Sequence, residues 1–214
     1  MKRVRVISLD NSIEDAVSKA DIVLREGGLV IYPTESCYAL GADALSPDAV
    51  KKVYAAKERP LSLPLPVIVA DEAMWERYAV FTPEALTLIR RFSPGPLTIV
   101  LKKKPIVPDI LNPSALAARV SSHPVASQLV SRFGSPVVST SANVHGGEEP
   151  YDVWAALDSL ASFEGLALDG GRLPRRPVST VVDLTVRPYR IQRAFPEGAI
   201  EEDAIRRVLE GGSR

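Results

Sequence analysis

The sequence has few of the residues that build covalent or metal-linked frameworks. It contains one cysteine, Cys37, and two histidines, His123 and His145. One cysteine cannot form an internal disulfide, and these three side chains do not supply the four ligands of a structural zinc site. The sequence therefore predicts an intracellular protein whose fold depends on neither a disulfide nor a zinc ion.

Long apolar runs and an excess of charge of one sign are also absent. No segment approaches the roughly 18 apolar residues of a membrane span, and the first residues alternate charged with apolar side chains, unlike a signal peptide. Lys plus Arg number 26 and Asp plus Glu number 26, so no net charge attracts nucleic acid or an anionic membrane. We expect a soluble, cytoplasmic protein with no membrane partner, in which any anion site is local.

Common nucleotide-binding and metal-binding motifs are missing as well. The sequence has no Gly-x-Gly-x-x-Gly and no Gly-x-x-x-x-Gly-Lys-Ser/Thr, so a nucleotide would be held without a Rossmann fingerprint or a Walker loop. The two histidines lack the His-Glu-x-x-His spacing, so we predict no metal ligands in the chain. Cys37 lies between an apolar run and Tyr38, and we predict that it is a packed side chain rather than a nucleophile.

What the 214 residues do contain is an alternation of strand and helix patterns. Apolar, strand-like runs recur at 29–32, 66–69, 98–101, 117–120 and 136–140. Helix starts are indicated by N-cap side chains at Ser12, Ser46 and Thr82. This pattern, with neighbouring strands late in the chain, predicts an α/β fold with a twisted mixed β-sheet covered by helices. We assign 1–198 to one domain and 199–214 to a C-terminal helix or tail of that domain.

Polar residues after predicted strands are candidates for a binding site, because open α/β sheets bind ligands at the carboxyl ends of strands. Thr34 belongs to a hydroxyl-rich turn at 32–38, and Ser139, Ser141 and Asn143 follow or end the strand at 136–140. Hydroxyl groups and backbone N–H groups bind phosphate or a zwitterion in such loops. For both segments, a turn or helix cap that satisfies its own backbone remains the alternative.

Cations form the second group of candidates. Lys57 and Arg59 follow a predicted helix, where they either complement the helix terminus as exposed charges of little value to stability, or converge on a polyanion such as triphosphate. Arg119 lies in an apolar strand, and Ser179 and Arg193 lie in late strands. A buried arginine needs an anionic partner, which is either a carboxylate of the protein or the carboxylate or phosphate of a ligand.

Seven short motifs follow one another along the chain. They are Gly27-Gly28-Leu29-Val30-Ile31-Tyr32-Pro33-Thr34-Glu35, Lys57-x-Arg59-Pro60, Pro94-Gly95-Pro96-Leu97-Thr98, Arg119-Val120-x-x-His123-Pro124, Ser139-Thr140-Ser141-Ala142-Asn143, Asp169-Gly170-Gly171 and Ser179-Thr180-Val181-Val182-Asp183. In this order, residues 12–198 resemble the YrdC-like threonylcarbamoyl-adenylate synthases in their single-domain form. The resemblance implies the YrdC-like fold and a nucleotidyltransferase that converts L-threonine, bicarbonate or CO2, and ATP into threonylcarbamoyl-AMP and pyrophosphate. This product serves the threonylcarbamoyladenosine modification of tRNA.

The resemblance also implies a role for each candidate residue. L-threonine would be bound by Thr34, Arg119, Ser139 and Ser179. The ATP side would be lined by Lys57, Arg59, Ser141, Asn143 and Arg193, with Lys57 and Arg59 as the catalytic cations. Mg2+ would arrive with ATP rather than on protein ligands, and a threonylcarbamoyl transferase would take the product.

Some positions depart from the pattern of the family. Ala39 and Glu58 stand where glycine is usual, and Ser121-Ser122 stands where a proline normally follows the arginine. Because Tyr38-Ala39-Leu40-Gly41 resembles a paralogous branch, the alternative is a non-catalytic, RNA-binding member with weak affinity for tRNA or double-stranded RNA. The zero net charge weighs against that alternative, since RNA affinity depends on a basic patch.

Overall fold

Strands and helices alternate along the computed structural model, which describes residues 4–192 and 198–211. The strands are β1 (Val4–Ser8), β2 (Leu29–Pro33), β3 (Tyr38–Gly41), β4 (Val67–Ile68), β5 (Leu97–Lys102), β6 (Ala115–Arg119), β7 (Val137–Val138), β8 (Thr140–Ser141), β9 (Gly165–Asp169), β10 (Thr180–Asp183) and β11 (Arg190–Gln192). The helices are α1 (Ile13–Arg25), α2 (Pro47–Ala56), α3 (Glu72–Glu76), α4 (Pro83–Phe92), α5 (Pro124–Phe133), α6 (Val153–Ser159) and α7 (Glu202–Gly211).

The strands form two mixed sheets. The first has the order β1-β9-β2-β3-β8, in which β9 is parallel to both β1 and β2, and the other pairs are antiparallel. The second has the order β11-β10-β5-β6-β4-β7, with β10 parallel to β5 and β4 parallel to β6. The predicted mixed α/β fold is confirmed, although its strands are divided between two sheets rather than joined in one.

The helix starts follow directly from the sequence. The side chains of Ser12, Ser46 and Thr82 accept hydrogen bonds from the backbone N–H groups three residues further on, as predicted. Pro47 and Pro83 occupy the first helical turn, where a missing N–H costs nothing. These three caps fix where α1, α2 and α4 begin.

The predicted strand at 136–140 is in fact two strands that belong to different sheets. β7 pairs with β4 in the second sheet, and β8 pairs with β3 in the first sheet. Ser139 lies between them and is the residue at which the chain crosses from one sheet to the other. A continuous run of β-branched and hydroxyl side chains gives no local signal of this crossing, because it is decided by which partner strands are adjacent.

The structure contains two elements, β3 and α3, that the sequence did not predict. β3 contains Ala39 and Gly41, residue types that are depleted in strands, and it is stabilised by pairing between β2 and β8. A larger residue does not fit at position 41, because a Cβ would lie 2.6 Å from Cε1 of Tyr32. α3 is five residues long, too short to show a helical period.

The helix α7 packs on the body formed by the preceding residues. Ile205 is fully buried, and Oγ1 of Thr180 exchanges hydrogen bonds with the backbone of Ile200. The domain boundary at 198 stays a prediction. Among the described residues, no helix is long and apolar enough to cross a membrane.

Replacing Gly165 with alanine should lower the free energy of unfolding by about 3 kcal/mol. Gly165 begins β9 with φ +153°, and an added Cβ would lie 2.2 Å from the carbonyl oxygen of Leu29 on the neighbouring strand β2. Because that oxygen belongs to backbone, it cannot move aside without breaking the strand pairing. We expect thermal unfolding to show a midpoint lower by roughly 10 °C.

Gly211→Ala is the matched control, since no atom lies within 4 Å of its added Cβ at the end of α7. Its unfolding midpoint should stay within about 2 °C of that of the unmodified chain. If the two variants were equally stable, β2 and β9 would have to separate more easily than their register suggests.

Candidate functional site

A cavity of about 430 Å3 is lined by residues of both sheets. The first sheet and the turn after β2 contribute Thr34, Ala39 and Ser141, and the second sheet contributes Thr98, Arg119 and Val181. Prolines and aliphatic side chains cover part of the wall, so the cavity has an apolar region beside its polar one. Such a combination suits a small ligand that carries both charged and apolar groups.

The predicted site residues divide into three groups. Those that line the cavity are Thr34, Arg59, Arg119, Ser139, Ser141 and Ser179. Lys57 and Asn143 lie behind the wall, bonded to the segment that contains Ser141. Arg193 lies outside the described residues. Segments far apart in sequence are therefore brought to one place, while the role of each residue stays a prediction.

Arg119 is held by a carboxylate of the protein. Its Nε donates to Oε1 of Glu35 at 3.0 Å, and the side chains are 7% and 9% exposed. Within the described residues, its Nη groups form no hydrogen bond, and Arg119 lines the cavity. The sequence left open whether a protein or ligand group would pair with Arg119, and the geometry allows both, on different edges of the guanidinium.

Residues with hydroxyl side chains line the cavity from opposite walls. Oγ1 of Thr34 donates to the carbonyl oxygen of Cys37 at 2.7 Å, which fixes the turn after β2. Oγ of Ser179 lies 2.9 Å from Oγ1 of Thr98 on the neighbouring strand β5. Oγ of Ser139 is buried and has no hydrogen-bond partner among the described residues. A buried hydroxyl without a partner is costly unless a ligand or water supplies one.

Lys57 is not an exposed cation at a helix end, so that one of the two alternatives for this residue is wrong. The residue is 2% exposed, and its Nζ donates to the carbonyl oxygens of Ser141 at 2.5 Å and Asn143 at 2.7 Å. Burial, together with the nearby charge of Arg59, lowers the pKa of Lys57 to about 8. The reason for the error is tertiary: the segment 141–145 folds over the end of α2, and the sequence around Lys57 does not reveal this.

Arg59 links three segments at the mouth of the cavity. Its Nη2 donates to the carbonyl oxygen of Pro64 at 3.0 Å, and its Nη1 lies 3.2 Å from Nδ1 of His145. The backbone N–H of His145 in turn donates to the carbonyl oxygen of Lys57 at 2.8 Å. Partial burial lowers the pKa of Arg59, which nevertheless remains charged at neutral pH.

Asn143 forms hydrogen bonds within the loop that follows β8. Its Nδ2 donates to the carbonyl oxygens of Val144 at 2.9 Å and Gly147 at 2.7 Å, and its buried Oδ1 has no partner among the described residues. Asn143 and Lys57 thus order the loop after β8 from its inner side. The loop is more than a helix cap, which was the alternative for this segment, because α6 is capped by Asp152.

Cys37 is packed, as predicted. Burial raises the pKa of its thiol to about 12, so the thiolate is not formed near neutral pH. Cys37 lines the cavity as a small apolar side chain, together with Ala39.

Sequence reasoning missed several residues at the site. Glu35 and Thr98 were noticed only within motifs, yet they hold Arg119 and Ser179 respectively. Glu149 and Gln192 also line the cavity, and no local pattern marks them. Among the described residues, no group of three His, Cys, Asp or Glu side chains is placed to hold a metal ion. The delivery of Mg2+ by a nucleotide stays a prediction.

The sequence matches a known protein family. Residues 22–194 match the Sua5/YciO/YrdC family model, whose description is telomere recombination. The chain belongs to the Sua5/YciO/YrdC family. The resemblance inferred from the seven motifs is therefore confirmed.

Two curated relatives in the Sua5/YciO/YrdC family are named threonylcarbamoyl-AMP synthase. The protein of Bacillus subtilis (strain 168) is 42% identical over 197 residues, which are 86% of this chain and 56% of the relative. The protein of Pyrococcus abyssi is 35% identical over 189 residues, or 87% of this chain and 55% of the relative. The chain thus spans about half the length of these relatives.

Solved structures of Sua5/YciO/YrdC proteins have the same fold. Sua5 of P. abyssi, solved in complex with L-threonine, has a TM-score of 0.81 and 33% identity over 88% of this chain and 56% of that one. YciO of E. coli has a TM-score of 0.78 and 29% identity over 89% of this chain and 94% of that one. The predicted YrdC-like fold is confirmed.

The departures from the Sua5/YciO/YrdC motifs have structural counterparts. Glu58, where glycine is usual, has φ +50°, in the left-handed region that glycine adopts at low cost. Its side chain is exposed, so the acid does not lie buried between Lys57 and Arg59. Ala39 places one methyl group in the cavity wall.

Proposed function

We propose that this chain is an L-threonylcarbamoyladenylate synthase. L-threonine and bicarbonate would form N-carboxythreonine with loss of water, or CO2 would add to the amine directly. The new carboxylate would attack the α-phosphorus of ATP, forming an oxygen–phosphorus bond as the bond to the β-phosphate oxygen breaks. Pyrophosphate leaves, and threonylcarbamoyl-AMP remains. The enzyme would be a nucleotidyltransferase, as the motifs implied.

The observation that carries this proposal is the convergence of four predicted threonine-binding residues on one cavity. Thr34, Arg119, Ser139 and Ser179 come from separate segments, and a relative with a TM-score of 0.81 was solved with L-threonine bound. In this proposal the free Nη groups of Arg119 receive the threonine carboxylate, and Oγ of Ser139 gains its missing partner. Both interactions are strong in a site with restricted water.

The ATP side would be formed by Arg59 and Ser141 at the cavity, with Lys57 and Asn143 behind them and Arg193 as a further predicted contact. Displacement at phosphorus needs positioning and positive charge more than a protein nucleophile. Mg2+ bound to the triphosphate would supply further charge stabilisation. The protein itself would contribute by placing Arg59 and the ordered 141–147 loop beside the phosphates of ATP.

The wider roles are part of the same proposal. The product would serve tRNA modification in the cytoplasm and pass to a threonylcarbamoyl transferase. Relatives named as synthases favour the enzyme over the non-catalytic, RNA-binding alternative.

Pyrophosphate release tests the proposal. The purified chain should release pyrophosphate from Mg-ATP only when both L-threonine and bicarbonate are present. L-serine in place of L-threonine is the control for amino-acid selectivity. Release that continues without threonine, or no release although ATP binds, would contradict the synthase reaction.

ATP affinity should fall as the pH rises through about 8. The pKa of Lys57 lies near 8 because the ammonium is buried, so its positive charge is lost above that pH rather than near 10.5. If that charge supports ATP binding, the dissociation constant should rise up to about tenfold per pH unit above pH 8. Titration calorimetry with Mg-ATP alone measures this without interference from the titration of threonine or bicarbonate.

Lys51→Met serves as the control for the pH experiment, since Lys51 is exposed on α2, the helix whose C-cap is Lys57. It should leave the pH profile unchanged, whereas Lys57→Met should remove the dependence near pH 8. An ATP affinity that stays flat to about pH 9.5 in the unmodified chain would argue against a charged Lys57 in nucleotide binding.

A further inference from the structure

Ser121 is a buried residue two positions after Arg119 and has no place in the site described so far. The residue is 1% exposed, and it does not line the cavity. Its Oγ donates to Oε2 of Glu35 and accepts from the backbone N–H of His123 at 3.2 Å. Both oxygens of the Glu35 carboxylate are thus occupied, one by Nε of Arg119 and the other by this hydroxyl.

We propose that Ser121 is a positioning residue for threonine binding, acting through Glu35 on Arg119. By holding Oε2, Ser121 keeps the Glu35 carboxylate beside Nε and leaves the Nη groups of Arg119 for the carboxylate of the ligand. The inference rests on the proposed function, because it takes L-threonine as the ligand of Arg119.

The geometry of the guanidinium explains why this restraint matters. Arginine presents five N–H donors in a planar fork, and a carboxylate pairs most strongly when it spans two nitrogens. A Glu35 carboxylate released from Ser121 is free to turn its second oxygen towards an Nη group. It then occupies the donors that face the cavity, and it competes with the incoming carboxylate of the ligand.

Repulsion between the Glu35 carboxylate and the carboxylate of the ligand would also weaken binding if Glu35 were released. The Glu35 side chain is 9% exposed, so water screens its charge poorly. A negative carboxylate that moves towards the cavity raises the cost of bringing a second one to Arg119. The bond to Ser121 holds that charge on the far side of the guanidinium, and ATP, which would bind on the Arg59 side, is not subject to this competition.

The test compares Ser121→Ala with its exposed neighbour, Ser122→Ala. Titration calorimetry should show about tenfold weaker L-threonine binding for Ser121→Ala, with ATP affinity within about twofold of the unmodified chain. Ser122→Ala should leave both affinities unchanged. Should Ser121→Ala fail to fold, Ser121→Cys keeps the volume but donates only weakly, and we expect the same selective loss from it.

A double-mutant cycle with Glu35→Gln shows whether the effect passes through Glu35. In the Glu35→Gln background, Ser121→Ala should change threonine affinity by less than about twofold, because the carboxylate it restrains is gone. An equal loss of threonine and ATP affinity in Ser121→Ala, or full additivity in the cycle, would overturn the inference.

The outcomes separate this inference from the proposed function. If the unmodified chain binds no threonine, the proposed function fails and the inference fails with it. If the unmodified chain binds threonine and Ser121→Ala binds it equally well, only the positioning role of Ser121 is refuted.

Discussion

Arg119→Ala should weaken L-threonine binding by about a hundredfold and change ATP affinity by less than about threefold. The Nη groups of Arg119 have no hydrogen-bond partner in the described part of the chain, and Arg119 lines the cavity from β6. The hydroxyl groups around it cannot replace a charge. Titration calorimetry with each ligand separately gives both values. Equal losses for the two ligands would place Arg119 at a shared part of the site rather than at the threonine carboxylate.

The same substitution should also lower stability. Removing Arg119 leaves the Glu35 carboxylate buried with only Ser121 as a side-chain partner, and an uncompensated buried charge costs about 3 kcal/mol. The unfolding midpoint should therefore fall by roughly 10 °C. Arg119→Met combined with Glu35→Gln removes both charges, and it should recover most of the stability while threonine binding stays lost.

Lys57→Met should reduce turnover by about a hundredfold to a thousandfold and leave the fold as stable as before or more stable. The lowered pKa of Lys57 means that the folded protein disfavours the buried ammonium by about 3 kcal/mol relative to water. Methionine fills a similar volume and removes that penalty, although the carbonyl oxygens of Ser141 and Asn143 lose a donor. A charge retained at such a cost is typical of functional sites.

Lys57→Ala separates the effect of volume from that of charge. It removes the buried aliphatic stem as well, so it should lose about 2 kcal/mol of stability in addition to turnover. Thermal unfolding and pyrophosphate release should be measured on both variants. A large fall in stability of Lys57→Met with turnover intact would make Lys57 a structural clamp for the loop after β8 and nothing more.

The fold class was predictable because its signals are local. The N-cap side chains Ser12, Ser46 and Thr82 and the apolar runs at β2 and β5 are short-range patterns. The division into two sheets was not predictable, because the crossing at Ser139 depends on contacts with β3 and β4. The short strand β3 likewise depends on its neighbours rather than on its own residues.

The candidate site was likewise predictable only where the residue types themselves were informative. Hydroxyl and cationic residues could be picked out by type, and most of them line one cavity. The residues that hold these side chains in place could not be predicted. Glu35, Thr98 and Ser121 contact residues that only the fold brings within reach. The burial of Lys57 was missed for the same reason, since an end-of-helix lysine is usually exposed.

Ser139 joins the edge strand of one sheet to the edge strand of the other, and it lines the cavity. A ligand bound there contacts both sheets at once and acts as a non-covalent cross-link between them. We therefore expect a bound ligand to resist separation of the two sheets.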